Sequence, residues 1–517
     1  MRLRRLSDFL RGAFLAAAGG EMRSNYFKYS ALYKTMYIPI EVKNILDKLE
    51  QNKFDAFLVG GCVRDILLNK TPKDWDIATN ALPEEIQSIF ENSIYENTFG
   101  TVAVKTDSED KTLKIIEITT YRTESNYTDQ RHPDSIEFVT DIKEDLARRD
   151  FTINAIAINK NGNITDPFNG QTDLTNKIIK SVGDPIKRFS EDALRLMRAV
   201  RLSIELDFKI DSNTEKAILN KSKDINNIAP ERIKDELIKL IMTPYSADGI
   251  RLLEKTNLLE YIIPELREGI NCTQNKHHID TVFVHNIKAL EYASKENFSL
   301  EVRLASLMHD IGKPRTKRGE GEDATFYGHE IIGARITQSI LTRLKFSKET
   351  TQKVRHLVRQ HMFMYNVDEV SEAGVRRLLS RIGLEHLDDI LNLRKADRIG
   401  SNTAKAFPYK LRHLLFMIEK VRRDPISPKA LKINGTNLME ALKLEPSPRL
   451  GFILNALLEK VLDNPAINNQ ENLLAEAQEL NKLTDQELLK IMQTSKSKQA
   501  EFEKNAEAEI KNKHHVK

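Results

Sequence analysis

Asp74 and Asp76 stand one residue apart in Asp74-Trp75-Asp76-Ile77-Ala78-Thr79, shortly after Leu58-Val59-Gly60-Gly61-Cys62-Val63-Arg64-Asp65. Alternate residues of an extended segment share a face, so the two carboxylates would point at one spot while Trp75 and Ile77 turn away. Two hard oxygen donors suit Mg²⁺, which keeps water and phosphate oxygens in its remaining positions. The Gly60-Gly61 turn permits φ values that other residues resist and lets bare backbone approach a phosphate. The amides of the helix that follows, with Arg64, would face the same anion. A lone D-x-D is usually a solvated strand edge or turn. Here a phosphate clamp and an acid pair fall within one βαβ-sized unit.

The elements that must hold these groups are legible around them. Phe57-Leu58-Val59 reads as a buried strand, Val63 to Asn69 as a helix stopped before Pro72, and Asp74 to Ala78 as a second strand. The runs from Phe99 to Val104 and from Lys114 to Arg122 are rich in β-branched residues and extend the sheet. Glu117 lies inside the second run, and a buried carboxylate requires a cation, for which Arg122 or Lys105 would serve. Ser125 to Asp134, with Arg131, His132 and Pro133, has no periodicity and reads as a mobile loop. In Asp145-Leu146-Ala147-Arg148-Arg149-Asp150-Phe151-Thr152-Ile153-Asn154-Ala155, Arg149 offers a guanidinium to an anion and Asp150 a carboxylate to a donor, or the two are simply unlike charges at a helix end. Further on, Ser190 would cap a helix with Glu191 and Asp192 in its first turn. Asp192, Arg195, Arg198 and Arg201 then recur every third residue. At about 100° per residue that row drifts through roughly 180° of circumference, so Asp192 and Arg195 are neighbours and Arg201 lies far round. Without context it is a solvated charge stripe.

In this order the segments resemble the class II tRNA nucleotidyltransferase and bacterial poly(A) polymerase superfamily, whose first motif is a G-G-x-V-R-D turn followed by D-x-D. The resemblance implies catalytic carboxylates at Asp74, Asp76 and Glu117 with Mg²⁺ on Asp74 and Asp76. It implies nucleotide contacts from Gly60, Gly61, Arg64, Arg149, Asp150 and Asn154, with Asp150 on a ribose hydroxyl. Asp192 and Arg195 would read the base edge as a protein template, with Arg198 and Arg201 nearby on base or triphosphate. The loop after Ser125 would help switch between nucleotides, and Ile228-Ala229-Pro230-Glu231-Arg232-Ile233 matches a neck motif that braces the site. The implied substrates are CTP, ATP and the tRNA 3′ end, to which CMP and AMP would be added. Addition of A alone, of C C alone, or of poly(A) is the nearest alternative.

A second constellation comprises His285, His309-Asp310, His329, His361 and Asp397. More than half of the 12 histidines fall between His277 and His361. Imidazoles and carboxylates on bundled helices suit a divalent metal. The order resembles the HD phosphohydrolase superfamily, which implies one or two metals held by these six residues and hydrolysis of phosphate esters. His277, His278 and His356 read as structural. A subgroup of bacterial tRNA nucleotidyltransferases carries such a domain, so the two resemblances agree. A phosphohydrolase whose head merely binds RNA is the alternative from another class.

The expected fold is α+β: a small nucleotidyltransferase head with a mixed sheet, then an all-helical neck, body, HD domain and tail. The expected boundaries are 1–35 for a poorly structured extension, 36–180 for the head, 181–270 for neck and body, 271–405 for the HD domain and 406–517 for a tRNA-contacting tail. Lysine and arginine number 79 against 75 acids, so any RNA surface must come from local clustering. Cys62 and Cys272 are too few for a disulfide framework or zinc site, and a reducing cytoplasm fits. No apolar run suits a bilayer crossing. The basic stretch up to Lys34 reads as sequence ahead of a start at Met22 or Met36, with a transit peptide as the alternative. In the tail, Asn434-Gly435 predicts a turn into a helix and Pro465 the end of another, while the chain beyond Leu473 has weak periodicity.

Overall fold

The protein, seen here as a computed structural model, divides into two compact units, residues 1–355 and 356–517. The structure describes residues 38–96, 99–125, 135–275, 280–362, 371–401, 409–422, 431–491 and 515. The N-terminal extension, most of the loop after Ser125, His277 and His278 lie outside them.

The first unit opens with helix α1 (Ile40–Gln51), whose Val42, Ile45, Leu46 and Leu49 recur at helical spacing and are buried. There follow β1 (Phe57–Val59), α2 (Gly61–Leu67), β2 (Asp76–Thr79), α3 (Pro83–Ile89), β3 (Ser93–Tyr95), β4 (Thr101–Lys105), β5 (Ile115–Thr120), β6 (Arg122–Ser125), β7 (Ser135–Phe138) and α4 (Ile142–Ala147). After a 3₁₀ turn at Thr152–Asn154 come β8 (Ala157–Asn159), β9 (Ile164–Thr165), α5 (Gly170–Thr175) and β10 (Ile178–Ile179). Seven strands form one sheet in the order β3-β4-β5-β2-β1-β8-β9. β2 and β5 run parallel while β1 is antiparallel to both β2 and β8, so the sheet is mixed as expected.

Three expectations are revised by these elements. Asp74 precedes the second strand, which begins at Asp76. α2 starts at Gly61, two residues earlier than its apolar pattern suggests. Glu117 is not buried: on β5 Ile116 and Ile118 face the core, and Glu117 alternates onto the exposed face. Neither Arg122 nor Lys105 neutralises it, for Arg122 pairs with Glu124 and Lys105 is exposed.

The remainder of this unit is helical: α6 (Pro185–Glu191), α7 (Leu194–Leu206), a short β11 (Lys209–Ile210) beside β10, α8 (Ser212–Lys221), α9 (Pro230–Ile241), α10 (Ser246–Lys255), α11 (Leu259–Ile262) and α12 (Pro264–Arg267). Next come α13 (Val282–Lys295), α14 (Leu300–Met308), α15 (Lys313–Thr316), α16 (His329–Arg343) and α17 (Lys348–Gln360), the last containing the division between units. α7 packs on α9, and α14 on α13. The division at Arg355 falls inside the span 271–405 expected for one domain.

The second unit is helical throughout its described residues, with α18 (Glu372–Ile382), α19 (Leu387–Gly400), α20 (Tyr409–Arg422), α21 (Gly435–Leu442), α22 (Pro448–Asp463) and α23 (Gln470–Leu480). Asn434 caps α21 by accepting from the Asn437 amide, realising the turn read at Asn434-Gly435. Beyond Leu473 the order exceeds the sequence expectation, because Leu473, Ala477, Leu480 and Leu488 seal a core with Leu438, Ile453 and Leu457. No described helix is long and apolar enough to cross a membrane.

Candidate active site

β1 delivers the chain to Gly60, whose φ of 75° and ψ of −135° only glycine adopts readily. A methyl group there would lie 3.0 Å from Arg149 Nη1 and 3.3 Å from Asp76 Oδ2, so the turn, the guanidinium and the carboxylate are in contact. The register Val59 to Asp76 places that carboxylate at the mouth of the strand pair, and the parallel register sets Glu117 beside Asp76. Asp74 and Asp76 line one cleft of about 650 Å³ together with Gly61, Arg64 and Asn154, while Trp75 and Ile77 are buried. The acids therefore converge although one stands outside the strand. Desolvation raises the Asp76 carboxyl above its usual range; the charge of Arg149 opposes the shift and that of Asp74 adds to it. Glu117 is raised too, by desolvation and then by Asp76, Glu96 and Asp74. An excess of hard anionic oxygens with one guanidinium in attendance fits a divalent cation.

A hydrogen-bonded chain runs from this cleft to the helices. Arg64 donates through Nη1 to Asn154 Oδ1 at 3.1 Å, and Asn154 Nδ2 donates to Asp150 Oδ1 at 3.2 Å. Asp150 Oδ2 accepts from Arg198 Nε and Nη2 at 2.8 and 2.6 Å. Burial opposes ionisation of Asp150, yet the charge of Arg198 and its hydrogen bonds win and hold the carboxyl far below the usual range. With the Phe151 amide also on Oδ1, both oxygens are engaged within the protein. Asp150 thus braces Arg198 and Asn154.

The helix expected to begin at Ser190 is instead two helices. Asp184 caps α6 and Pro185 occupies its first turn, so the helix starts early and stops at Glu191; Ser190 donates back to Ile186 O. Asp192 is extended, at φ −139° and ψ 105°, and its side chain accepts the Leu194 amide at the start of α7. That local bond competes with helix continuation and marks the break. A second cavity of about 250 Å³ is lined by Asp192, Arg195, Arg198, Arg232, Arg149 and their neighbours. Arg195 is set by donating to Glu191 Oε2 and to the carbonyls of Arg188 and Arg148. Asp192 receives both Nη atoms of Arg232, at 3.2 and 2.8 Å. The drift of the arginine row is realised on α7: Arg195 lines the smaller cavity, Arg198 both, and Arg201 only the cleft, where it pairs with Glu205 and Glu236.

Four of the six expected HD residues meet within the first unit. His285 on α13 and His309 after α14 bring their Nε2 atoms within 2.9 Å. Asp310 Oδ2 lies 3.2 Å from His285 Nε2 and 3.4 Å from His309 Nε2, and Asp310 Oδ1 lies 3.3 Å from His329 Nε2. All four are buried. His309 and His329 each direct Nδ1 at the carbonyl three residues back, Ser306 and Phe326. Because a carbonyl only accepts, Nδ1 carries the proton and Nε2 keeps its lone pair for a metal. Burial disfavours ionised Asp310, but the Lys313 ammonium, 2.7 Å from its Oδ2, holds it well below the usual range. His361 and Asp397 belong to the second unit. There His361 is buried with Nδ1 on Val358 O, and Asp397 accepts from Arg394.

Family models match three stretches: the poly A polymerase head domain over residues 56–180, a probable RNA and SrmB-binding site of polymerase A over 207–270, and a tRNA nucleotidyltransferase domain 2 over 332–477. The CCA-adding enzyme of Streptococcus thermophilus is 30% identical over 447 residues, covering 86% of this chain and 98% of that one. That of Lactococcus lactis subsp. lactis is 33% identical, covering 85% and 97%. The chain belongs to the CCA-adding enzyme family. A solved CCA-adding enzyme of Bacillus stearothermophilus in complex with CTP is 28% identical, with a TM-score of 0.53 over 86% of this chain and 98% of that one.

As a CCA-adding-family nucleotidyltransferase, the chain uses positioning residues that its motifs did not single out. Asp145, fully buried, orients both Arg148 and Arg149. Arg188 ties α6 to the Ala147 and Arg148 carbonyls, and Arg232 grips Asp192. Asp145 was visible only as an acid one turn ahead of Arg148-Arg149, and Arg232 only within a segment read as bracing. In this CCA-adding family member Gly60→Ala should lose about 1–3 kcal/mol to backbone strain. It should also lower kcat/KM at least tenfold by displacing Arg149 or Asp76. Denaturant midpoints and initial rates check the two effects separately.

Proposed function

We propose that the protein is a template-independent CCA-adding enzyme that transfers CMP from CTP and AMP from ATP to the tRNA 3′ end. The observation that carries this reading is that Arg198 walls both the carboxylate cleft and the Asp192/Arg195 cavity, so one nucleotide can reach both. Asp74 and Asp76, with Glu117 beside them, would hold Mg²⁺, which when bound supplies positive charge to the triphosphate and acidifies the attacking hydroxyl. Gly60 and Gly61 admit the phosphates closely, and Arg64, Arg149 and Arg201 orient them. Asp192 accepts from the exocyclic amine common to cytosine and adenine, and Arg195 donates to the neighbouring ring acceptor. Uracil and guanine offer a carbonyl where the amine is needed and are refused. The tRNA 3′-oxygen bonds to the α-phosphorus as the bond to the bridging oxygen breaks; pyrophosphate leaves and the hydroxyl proton passes to water.

The test is incubation with tRNA ending before CCA and each labelled nucleoside triphosphate. Ordered incorporation of C, C and A supports the proposal, whereas runs of A alone favour a poly(A) polymerase.

A second activity is favoured by the histidine cluster. The Nε2 atoms of His285, His309 and His329 and the carboxylate of Asp310 form a buried donor set suited to a divalent metal. We assign it phosphohydrolysis of phosphate monoesters or cyclic phosphates at RNA ends. His309→Ala should abolish metal-dependent phosphatase activity and leave CCA addition within about twofold; loss of both activities overturns the separation of the two sites.

A further inference from the structure

The backbone on either side of Met242 is held from beneath by a buried cation. Arg303 on α14 is 1% exposed, and it donates through Nη1 to Ile241 O and Thr243 O, each at 3.0 Å. Its Nε donates to Phe298 O and its Nη2 to Asn297 Oδ1. A buried guanidinium bound by neutral acceptors is costly, and desolvation pulls its pKa down. That cost secures the end of α9, where helix carbonyls lack intrahelical partners. The result is an apolar side chain held outward, since Met242 is 42% exposed. Met242, Thr243 and Pro244 line the carboxylate cleft with Lys239 and Lys73, and both lysines are exposed.

We propose that Lys73, Lys239 and the turn Met242–Pro244, set in place by Arg303, form the subsite for the 3′-terminal nucleotides of the acceptor RNA. This rests on the nucleotidyl-transfer reading above and adds the second substrate's position. In that reading the incoming nucleotide is held by Gly61, Arg64 and Arg198. The attacking hydroxyl must reach the α-phosphorus from the side away from the pyrophosphate, and Lys73, Lys239 and Met242–Pro244 line the same cleft without a role in holding that nucleotide. Their chemistry matches a single-stranded RNA end: a polarisable thioether and a proline ring against a base or ribose, and two ammonium groups for phosphates. Glu236 sets Lys239 from one side, its Oε1 lying 3.5 Å from the ammonium while Oε2 meets Arg201. One carboxylate thus spaces a cation for each substrate.

The test compares initial rates for wild type, Lys239→Ala, Met242→Ala and Arg303→Lys with tRNA lacking CCA. Lys239 and Met242 are exposed, so the first two variants fold. Each should raise KM for tRNA about tenfold, the size of one phosphate or stacking contact, with KM for CTP within about twofold. Lys239→Ala should also flatten the dependence of log(1/KM) for tRNA on log salt by about 0.7, as one lost phosphate contact on a single strand requires. Arg303→Lys, which can reach fewer of the carbonyls, should raise KM for tRNA in the same direction. If wild type adds CCA while Lys239→Ala and Met242→Ala keep KM for tRNA and the salt slope, or raise KM for CTP instead, the subsite is overturned and the nucleotidyl-transfer reading stands. If wild type adds no nucleotide, that reading fails first.

Discussion

Asp76→Asn is expected to reduce nucleotide addition by at least 10³-fold, about 4 kcal/mol of lost transition-state stabilisation. The amide keeps the shape but removes the charge that would bind the cation, while Arg149 keeps its ion pair with Asp145. Asp74, ahead of the strand and exposed, and Glu117, exposed on β5, would remain without the carboxylate between them. Asp76 is one partner of the β1 and β5 registers through its backbone, which the substitution does not touch. The chain's single tryptophan, Trp75, is buried next to it and reports on folding. Unchanged Trp75 emission together with full incorporation of labelled CMP would remove Asp76 from the metal site.

Asp150→Ala is expected to destabilise the first unit by about 3 kcal/mol, toward the lower end for breaking a buried pair because the Arg198 side chain retains some solvent contact. Three groups lose their acceptor at once: the Phe151 amide, Asn154 and the two donors of Arg198. The folded carboxyl is depressed, so the stabilisation it contributes is complete above its unfolded value near 3.9 and is lost as pH falls through the folded one. The gap between wild type and Asp150→Ala in urea should therefore be full at pH 7 and narrow below about pH 4. A double variant, Asp150→Ala with Arg198→Met, should recover part of the loss, since no uncompensated charge remains. A pH-independent gap, or strictly additive variants, would show that Asp150 acts apart from Arg198. In activity assays the same substitution should loosen Arg198 and so impair both cavities, raising KM for CTP and ATP together.

Directions set by local repeats could be read from the chain alone. Acid and apolar residues alternate at Asp74-Trp75-Asp76-Ile77, and an extended backbone sends them to opposite sides whether or not every residue is in the strand. The third-residue arginine row had to drift, and the drift distributes Arg195, Arg198 and Arg201 over two cavities. The scarcity and clustering of histidines announced the group at His285, His309, Asp310 and His329, because imidazoles near acids have few other uses. What the tertiary structure alone decided are the partners of charges. The exposure of Glu117 depends on which face of β5 is covered. Asp150 to Arg198, Asp192 to Arg232 and Arg303 to Ile241 are contacts across 40 to 62 residues of chain. No local period encodes them, because a guanidinium several bonds long settles on whichever carboxylate or carbonyl the packing of other helices brings within about 3 Å.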